Sequence, residues 1–198
     1  MVCAVRYVCR RRHIYRRCRP YGSALPVFYG KDVKNMITIR ATTHDDVEIL
    51  SEIQRQAFLP IYEIYRDKGN PCLRGPEDIS RRLDTPVFRY FTVIVDGTVA
   101  GGVLYRCSGT TPFLDVLPEN EYYLTRVYVR PEMQSRHIAR EAILMCEKEF
   151  AGATAFHVDF PVELEKNRKC YEACGFSDTG KRLEAEPGLV LACYEKRI

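Results

Sequence analysis

The chain of 198 residues contains no tryptophan and only four histidines, and its nine cysteines form no CxxC pair. Those cysteines (Cys3, Cys9, Cys18, Cys72, Cys107, Cys146, Cys170, Cys174 and Cys193) are odd in number and scattered, which points to reduced thiols rather than a disulfide framework. A metal centre needs ligands clustered at closing distance. The nearest approach is Cys170-x3-Cys174 with His157 upstream, so small buried apolar side chains are the expectation and no metal is assigned. No run approaches the ~18 to 20 apolar residues of a spanning helix, and Arg stands where a signal peptide needs an apolar stretch. A cytoplasmic protein with no membrane partner is expected. The chain also lacks the Gly-Lys-Ser/Thr of a P-loop and the three glycines of a dinucleotide fingerprint, which removes support for ATP hydrolysis and NAD binding.

What is present fits one globular domain, with 46% hydrophobic and 28% charged residues. The net charge of +4 is unevenly spread: residues 1–35 hold seven Arg, Lys31 and Lys34 against Asp32, or +8, which leaves −4 for the rest. This basic segment alternates Arg with Cys, Tyr and Val and ends in Pro20-Tyr-Gly-Ser-Ala-Leu-Pro26, without a helical or strand period, so disorder is expected. It reads as a nucleic-acid-binding arm, an organelle transit peptide or an upstream extension without function. The extension is preferred, with Met36 as the functional start and nucleic acid not the expected partner.

From Met36 onward strand and helix patterns alternate, which predicts an α/β sheet protein. Met36 to Thr42 reads as a strand. Thr43 and Asp46 form a capping-box variant opening a helix with apolar residues at Val47, Leu50, Ile53, Ala57, Phe58 and Ile61, which Pro60 is expected to kink or divide. A short helix follows Pro76. Phe88 to Asp96 and Thr98 to Cys107 read as a hairpin about the turn Asp96-Gly97. The long loop from Ser108 to Asn120 is read either as part of a substrate site or as plain surface. Next come a strand from Glu121 to Val129, a helix over 136–150, a strand from Ala155 to Phe160, a helix from Leu164 to Cys174 stopped by Gly175, and strands over Phe176 to Leu183 and Leu189 to Tyr194.

The segment 122–140 carries the chemistry. A strand there feeds a short loop and a helix N-terminus, where unpaired backbone NH groups and the positive helix end converge on one place. Such a place binds phosphate. Its order Val129-x-Pro131-x-x-Gln134-x-x-His137-Ile138-Ala139 resembles the cofactor motif of the GNAT superfamily of N-acetyltransferases, Gln/Arg-x-x-Gly-x-Gly/Ala. Downstream, Asp159-Phe-Pro161 ends a strand, and Asn167-x-x-x-Tyr171-x-x-x-Gly175-Phe176 resembles that family's Asn...Tyr-x-x-x-Gly-Phe signature. The resemblance covers residues 36–198 and leaves the basic segment outside.

The resemblance implies the acyl-CoA N-acyltransferase fold: α/β, with a mixed, mostly antiparallel central sheet, a splayed parallel pair and flanking helices. It implies acetyl-CoA as co-substrate, with the pantetheine arm bonded to the backbone of Val127, Tyr128 and Val129 and the pyrophosphate held by Gln134, Ser135, Arg136, His137, Ile138, Ala139 and Arg140. Asn167 and Tyr171 would share a helix face toward the thiol, with Tyr171 protonating the departing thiolate. The alternative for Tyr171 is a core aromatic. Glu121 stands where many relatives keep a carboxylate base, or is a solvated acid beside Glu119; His44 and His157 are competing bases. His137 replaces the motif's first glycine, which costs affinity if the loop needs a positive φ. The implied reaction is direct attack by a primary amine of a small molecule or peptide in a ternary complex, with the acceptor passing over the helix after Thr43 and the 108–120 loop. Tyr62, Glu63, Tyr65, Asp115 and Glu119 suit a cationic amine. A non-catalytic acyl-CoA sensor and a homodimer are both compatible with the same residues.

Overall fold

The computed structural model describes residues 36–198, so the three readings of the basic segment lie outside the described residues. Seven strands form one sheet: β1 (Ile37–Ala41), β2 (Phe88–Val95), β3 (Thr98–Arg106), β4 (Glu121–Val129), β5 (Ala155–Pro161), β6 (Ser177–Glu186) and β7 (Leu189–Arg197). Four helices flank it: α1 (Val47–Tyr65), α2 (Pro76–Leu83), α3 (Ile138–Glu147) and α4 (Glu165–Ala173). The strand order is β1-β2-β3-β4-β5-β7-β6, and every neighbouring pair is antiparallel except β4 with β5. This is the mixed, mostly antiparallel α/β architecture that the sequence predicts.

The sheet opens in the middle. β4 pairs with β3 from Tyr123 to Val129, but with β5 only from Glu121 to Leu124, so the two parallel strands part after Leu124↔Val158. The parting coincides with a bulge: Leu104 pairs with Arg126 and Tyr105 with Leu124, which leaves Thr125 as an extra residue on β4. The bulge resets which face each later side chain meets. Leu124, Val127 and Val129 pack with α3, α4 and the aromatic cluster of Tyr105, Phe150 and Phe156, whereas Arg126 and Tyr128 turn toward α1 and α2.

The α1 face is fixed by polar contacts. The buried Arg126 donates to Asp78 at 2.8 Å and to Gln54 at 2.9 Å, and Arg82 reaches the same carboxylate at 3.0 Å. Tyr128 and Tyr90 share a hydroxyl hydrogen bond of 2.6 Å, and Phe58 of α1 lies 6.1 Å from the Tyr128 ring. Glycine is required beside them on β3. A Cβ on Gly101 would lie 2.0 Å from the Tyr128 carbonyl oxygen, a backbone atom that cannot step aside.

The hairpin turn at Asp96-Gly97 is as the sequence predicts, with φ values of 50° and 80°. Other boundaries differ. Pro60 does not divide α1, which runs unbroken to Tyr65 and ends on Arg66 in the left-handed region. α3 begins at Ile138 rather than 136, because Ser135 and His137 both take left-handed backbone. β7 continues to Arg197 rather than stopping at Tyr194, since Lys196 pairs with Glu147 and Arg197 with Glu121 and Glu195.

Burial pushes the Asp78 carboxyl up, and the hydrogen bonds from Arg82 and Arg126 more than reverse this, holding it well below the usual carboxylate range. Asp46 is held at about 2, first by its hydrogen bonds from Arg40. A carboxyl depressed on folding stabilises above its unfolded value of about 4 and loses that contribution as pH falls toward the native value. Chemical unfolding followed from pH 6 to pH 2 is therefore expected to show stability falling below about pH 4, with a shallower fall in Asp46→Asn. At neutral pH, Asp78→Ala leaves Arg126 buried without its carboxylate and is expected to cost about 3–5 kcal/mol in urea unfolding.

Candidate active site

Beside the part of β4 that β5 leaves unpaired lies a cleft of about 680 Å³. One wall is α1, through Gln56, Ala57, Phe58, Pro60 and Ile61; the floor is Val127, Tyr128 and Val129; the other wall is the loop before α3 and the cleft side of α4. Beyond Leu124, β4 has no strand partner on its β5 side, so part of its backbone hydrogen-bonding capacity faces the gap.

The loop after β4 is shaped to present NH groups. Pro131–Met133 form a single 3-10 turn, and then Ser135 at φ 62° and His137 at φ 61° alternate left-handed with ordinary backbone. Successive NH groups in such an alternation point into one concavity that suits an anion. The first intrahelical bond of α3 is from Glu141 NH to the His137 carbonyl, so the NH groups of Ile138, Ala139 and Arg140 have no intrahelical acceptor. The side chain of Gln134 braces the loop, donating to the Val129 carbonyl at 3.1 Å and accepting from Lys166 Nζ at 3.1 Å. Arg140 donates through Nε to the Ala173 carbonyl at 3.2 Å, which ties α3 to the C-terminus of α4. Positive charge thus lines this wall, from Arg140, Lys166, Lys169 and the start of α3.

Tyr171 belongs to the α4 wall, between Lys169 and Ala173. It is both a core residue and a cleft residue: 6% exposed, with its ring 5.1 Å from Phe160 and 6.1 Å from Phe176, yet lining the cleft. Its hydroxyl has no hydrogen-bond partner among the described residues. Burial, with Cys170 and Asp159 nearby, pushes its pKa well above the ordinary phenol value, so it is a neutral donor at every ordinary pH.

All the cofactor residues proposed from sequence meet in this cleft except Arg136, which is exposed and stands outside the lining. Neither Glu121 nor the 108–120 loop contributes to the lining. Glu121 is not a solvated acid: it is buried, with Oε2 2.6 Å from His157 Nε2 and Oε1 accepting from Arg197 at 3.0 Å. His157 is buried between Glu121 and Glu195, and the exposed His44 contacts Asp84. Sequence reasoning missed Gln56, Lys166 and Lys169, because a polar residue on an amphipathic helix reads as solvated. The lysines had one signal: they lie three residues apart on the helix that carries Tyr171.

With this geometry in hand, comparison with known proteins gives the class. The sequence profile of the acetyltransferase (GNAT) family matches residues 50–176, and the chain belongs to that family. A search of curated proteins found no matching sequence. Solved structures with the same fold include the PaiA N-acetyltransferase from Thermoplasma acidophilum in complex with coenzyme A, at 18% identity and TM-score 0.61 over 82% of this chain and 99% of that one. A spermidine N-acetyltransferase SpeG chimera from Vibrio cholerae and hSSAT has 14% identity and TM-score 0.60 over 81% of this chain and 95% of its own. AAC(6')-Ib in complex with ribostamycin and coenzyme A has 12% identity and TM-score 0.64 over 81% and 93%.

His137 occupies a left-handed position that a glycine fills without strain. Histidine tolerates that region at a cost of about 1 kcal/mol, whereas a β-branched residue is excluded more strongly. In chemical denaturation His137→Gly is expected to stay within about 0.5 kcal/mol of the parent and His137→Val to lose about 1–2 kcal/mol. Equal stability of the valine variant would contradict the backbone assigned to this loop.

Proposed function

We propose that residues 36–198 form an acetyl-CoA-dependent N-acetyltransferase that moves an acetyl group to a primary amine of a small molecule or peptide. Residues 1–35 are proposed as an extension outside that domain. One observation carries the reading: a strand edge without a partner, a nest of NH groups and a phenol hydroxyl line a single cleft, the three features that a pantetheine arm, a pyrophosphate and a thioester would call for. The fit to coenzyme A is chemical. The open edge of β4 can bond an amide-containing arm as an added strand would, and the NH groups from Ser135 to Arg140, with Arg140, Lys166 and Lys169 around them, suit a pyrophosphate.

In the reaction the nitrogen lone pair attacks the thioester carbonyl carbon, the C–N bond forms, the C–S bond breaks and sulfur leaves with the electron pair. Holding both reactants in the cleft removes the need for a covalent enzyme intermediate. Tyr171 donates a hydrogen bond to the sulfur as negative charge develops there. Because its pKa is raised above that of a thiol, its proton stays largely on oxygen, and the proton lost by nitrogen balances the one the thiolate finally takes. Asn167 and Cys170 flank this position on α4. Glu121, held by His157 and Arg197, supports the start of β4. Two structural neighbours, one a spermidine N-acetyltransferase chimera and one bound to ribostamycin and coenzyme A, favour a small amine as the first class to test.

The decisive comparison is thiol release from acetyl-CoA by the full chain and by Tyr171→Phe, with acetyl-CoA affinity measured in parallel by calorimetry. The phenylalanine variant is expected to bind acetyl-CoA within about twofold of the parent and to lose about 100-fold in kcat. Binding by the parent with no thiol release from any amine would favour a non-catalytic acyl-CoA-binding module instead.

A further inference from the structure

The described cysteines are chemically unequal. Cys72, Cys146, Cys174 and Cys193 are buried, and Cys107, half-buried, follows β3 outside the cleft lining. Burial pushes the thiols of Cys72, Cys107, Cys146 and Cys193 up, and Cys174 is raised first by its hydrogen bond to Cys170 and then by burial. Cys170 is the exception. It is half-buried on α4, it lines the cleft, and its thiol is held below the ordinary value.

The cause lies in its neighbours. Cys174 stands one helical turn further on, and its hydrogen bond favours a Cys170 thiolate; Arg140 from α3 and Lys166 from α4 act in the same sense, against the burial that opposes them. Both walls are held together here, because Arg140 donates to the Ala173 carbonyl at 3.2 Å and the Cys174 thiol approaches the Arg140 carbonyl at 3.9 Å. A partly accessible thiol among cations is the nucleophile of thiol–disulfide exchange, whereas a buried thiol of raised pKa is inert. The surroundings are also those of a ligand site. The next residue, Tyr171, is only 6% exposed and lines the same cleft with a hydroxyl that has no partner among the described residues.

We infer that Cys170 is a modification site, where a low-molecular-weight anionic disulfide forms a mixed disulfide that fills the cleft and excludes acetyl-CoA until it is reduced. The exclusion of acetyl-CoA rests on the coenzyme reading above. In the exchange the Cys170 thiolate attacks one sulfur of the incoming disulfide, a new S–S bond forms, the old S–S bond breaks, and the other half leaves as a thiolate that takes up the proton Cys170 lost. A small thiol in excess runs the same step backward. Arg140, Lys166 and Lys169 in the lining draw an anionic reagent to this sulfur, a description that fits both coenzyme A disulfide and oxidised glutathione.

The test treats full-length parent and Cys170→Ser at pH 7 with coenzyme A disulfide or oxidised glutathione in separate arms. Peptide mass spectrometry identifies the modified cysteines, and calorimetry measures acetyl-CoA binding before treatment, after it and after dithiothreitol. Cys170 is expected to be modified about tenfold faster than Cys107, the other half-buried thiol, and desulfo-coenzyme A, which carries no thiol, should slow it about tenfold. The treated parent should bind acetyl-CoA at least about tenfold more weakly and recover with dithiothreitol, whereas treated Cys170→Ser should bind as its own untreated form does. The faster arm identifies the modifier as the coenzyme's own disulfide or as glutathione, and either supports the site. Modification of Cys170 no faster than Cys107, or modification that leaves acetyl-CoA binding unchanged, would overturn the assignment while the transferase reading stands. If the untreated parent binds neither acetyl-CoA nor desulfo-coenzyme A, the coenzyme reading fails and the gating role of Cys170 falls with it.

Discussion

The fold depends on one local failure of pairing. Parallel strands β4 and β5 begin as ordinary sheet neighbours and separate at the Thr125 bulge, and everything the site contains is arranged around the gap this creates. An open strand edge in the middle of a sheet is costly unless something stabilises the strands on either side. Here β4 is held on its α1 face by Arg126 with Asp78 and Gln54, and by Tyr128 with Tyr90 and Phe58; β5 is held by seven pairs to β7. The bulge also explains how a single strand serves two cores, because it moves Arg126 and Tyr128 to the face opposite Leu124.

The cleft combines two electrostatic features. The start of α3 gathers NH groups and cations that favour an anion, and Tyr171 on α4 is a phenol kept neutral by burial. Fixed dipoles and charges arranged before a ligand arrives cost nothing to reorganise during reaction. The same economy explains His137 and Ser135: their left-handed backbone is strained for non-glycine residues, and the strain sits where the NH groups must turn toward a ligand.

Much of this was legible in the sequence. The 122–140 segment announced a strand, loop and helix start, and the α4 signature with Tyr171 fixed the opposite wall, because both rely on local chemistry that one segment carries by itself. The Asp96-Gly97 turn was readable for the same reason. What was not readable depends on contacts between distant segments. The end of β7 looked too charged for a strand until Glu147 and Glu121 supplied partners for Lys196 and Arg197. Pro60 looked like a break, yet the helix continues through it. Glu121 and Asp159 are both acids at strand ends, and only tertiary structure separates the one that is ion-paired from the one that is not. The helix after Thr43 was readable as part of the acceptor's path, but its individual cleft residues were hidden because Ala57, Phe58 and Ile61 fit a core-facing helical stripe equally well.

The central claim is that the open edge of β4 and the start of α3 together form a coenzyme A site. Amide hydrogen exchange of the full-length protein, compared with and without saturating coenzyme A, tests it most directly. Slower exchange confined to Val127–Val129 and Ser135–Arg140 is the expected result. Unchanged exchange at both segments, or protection located elsewhere, would contradict the account.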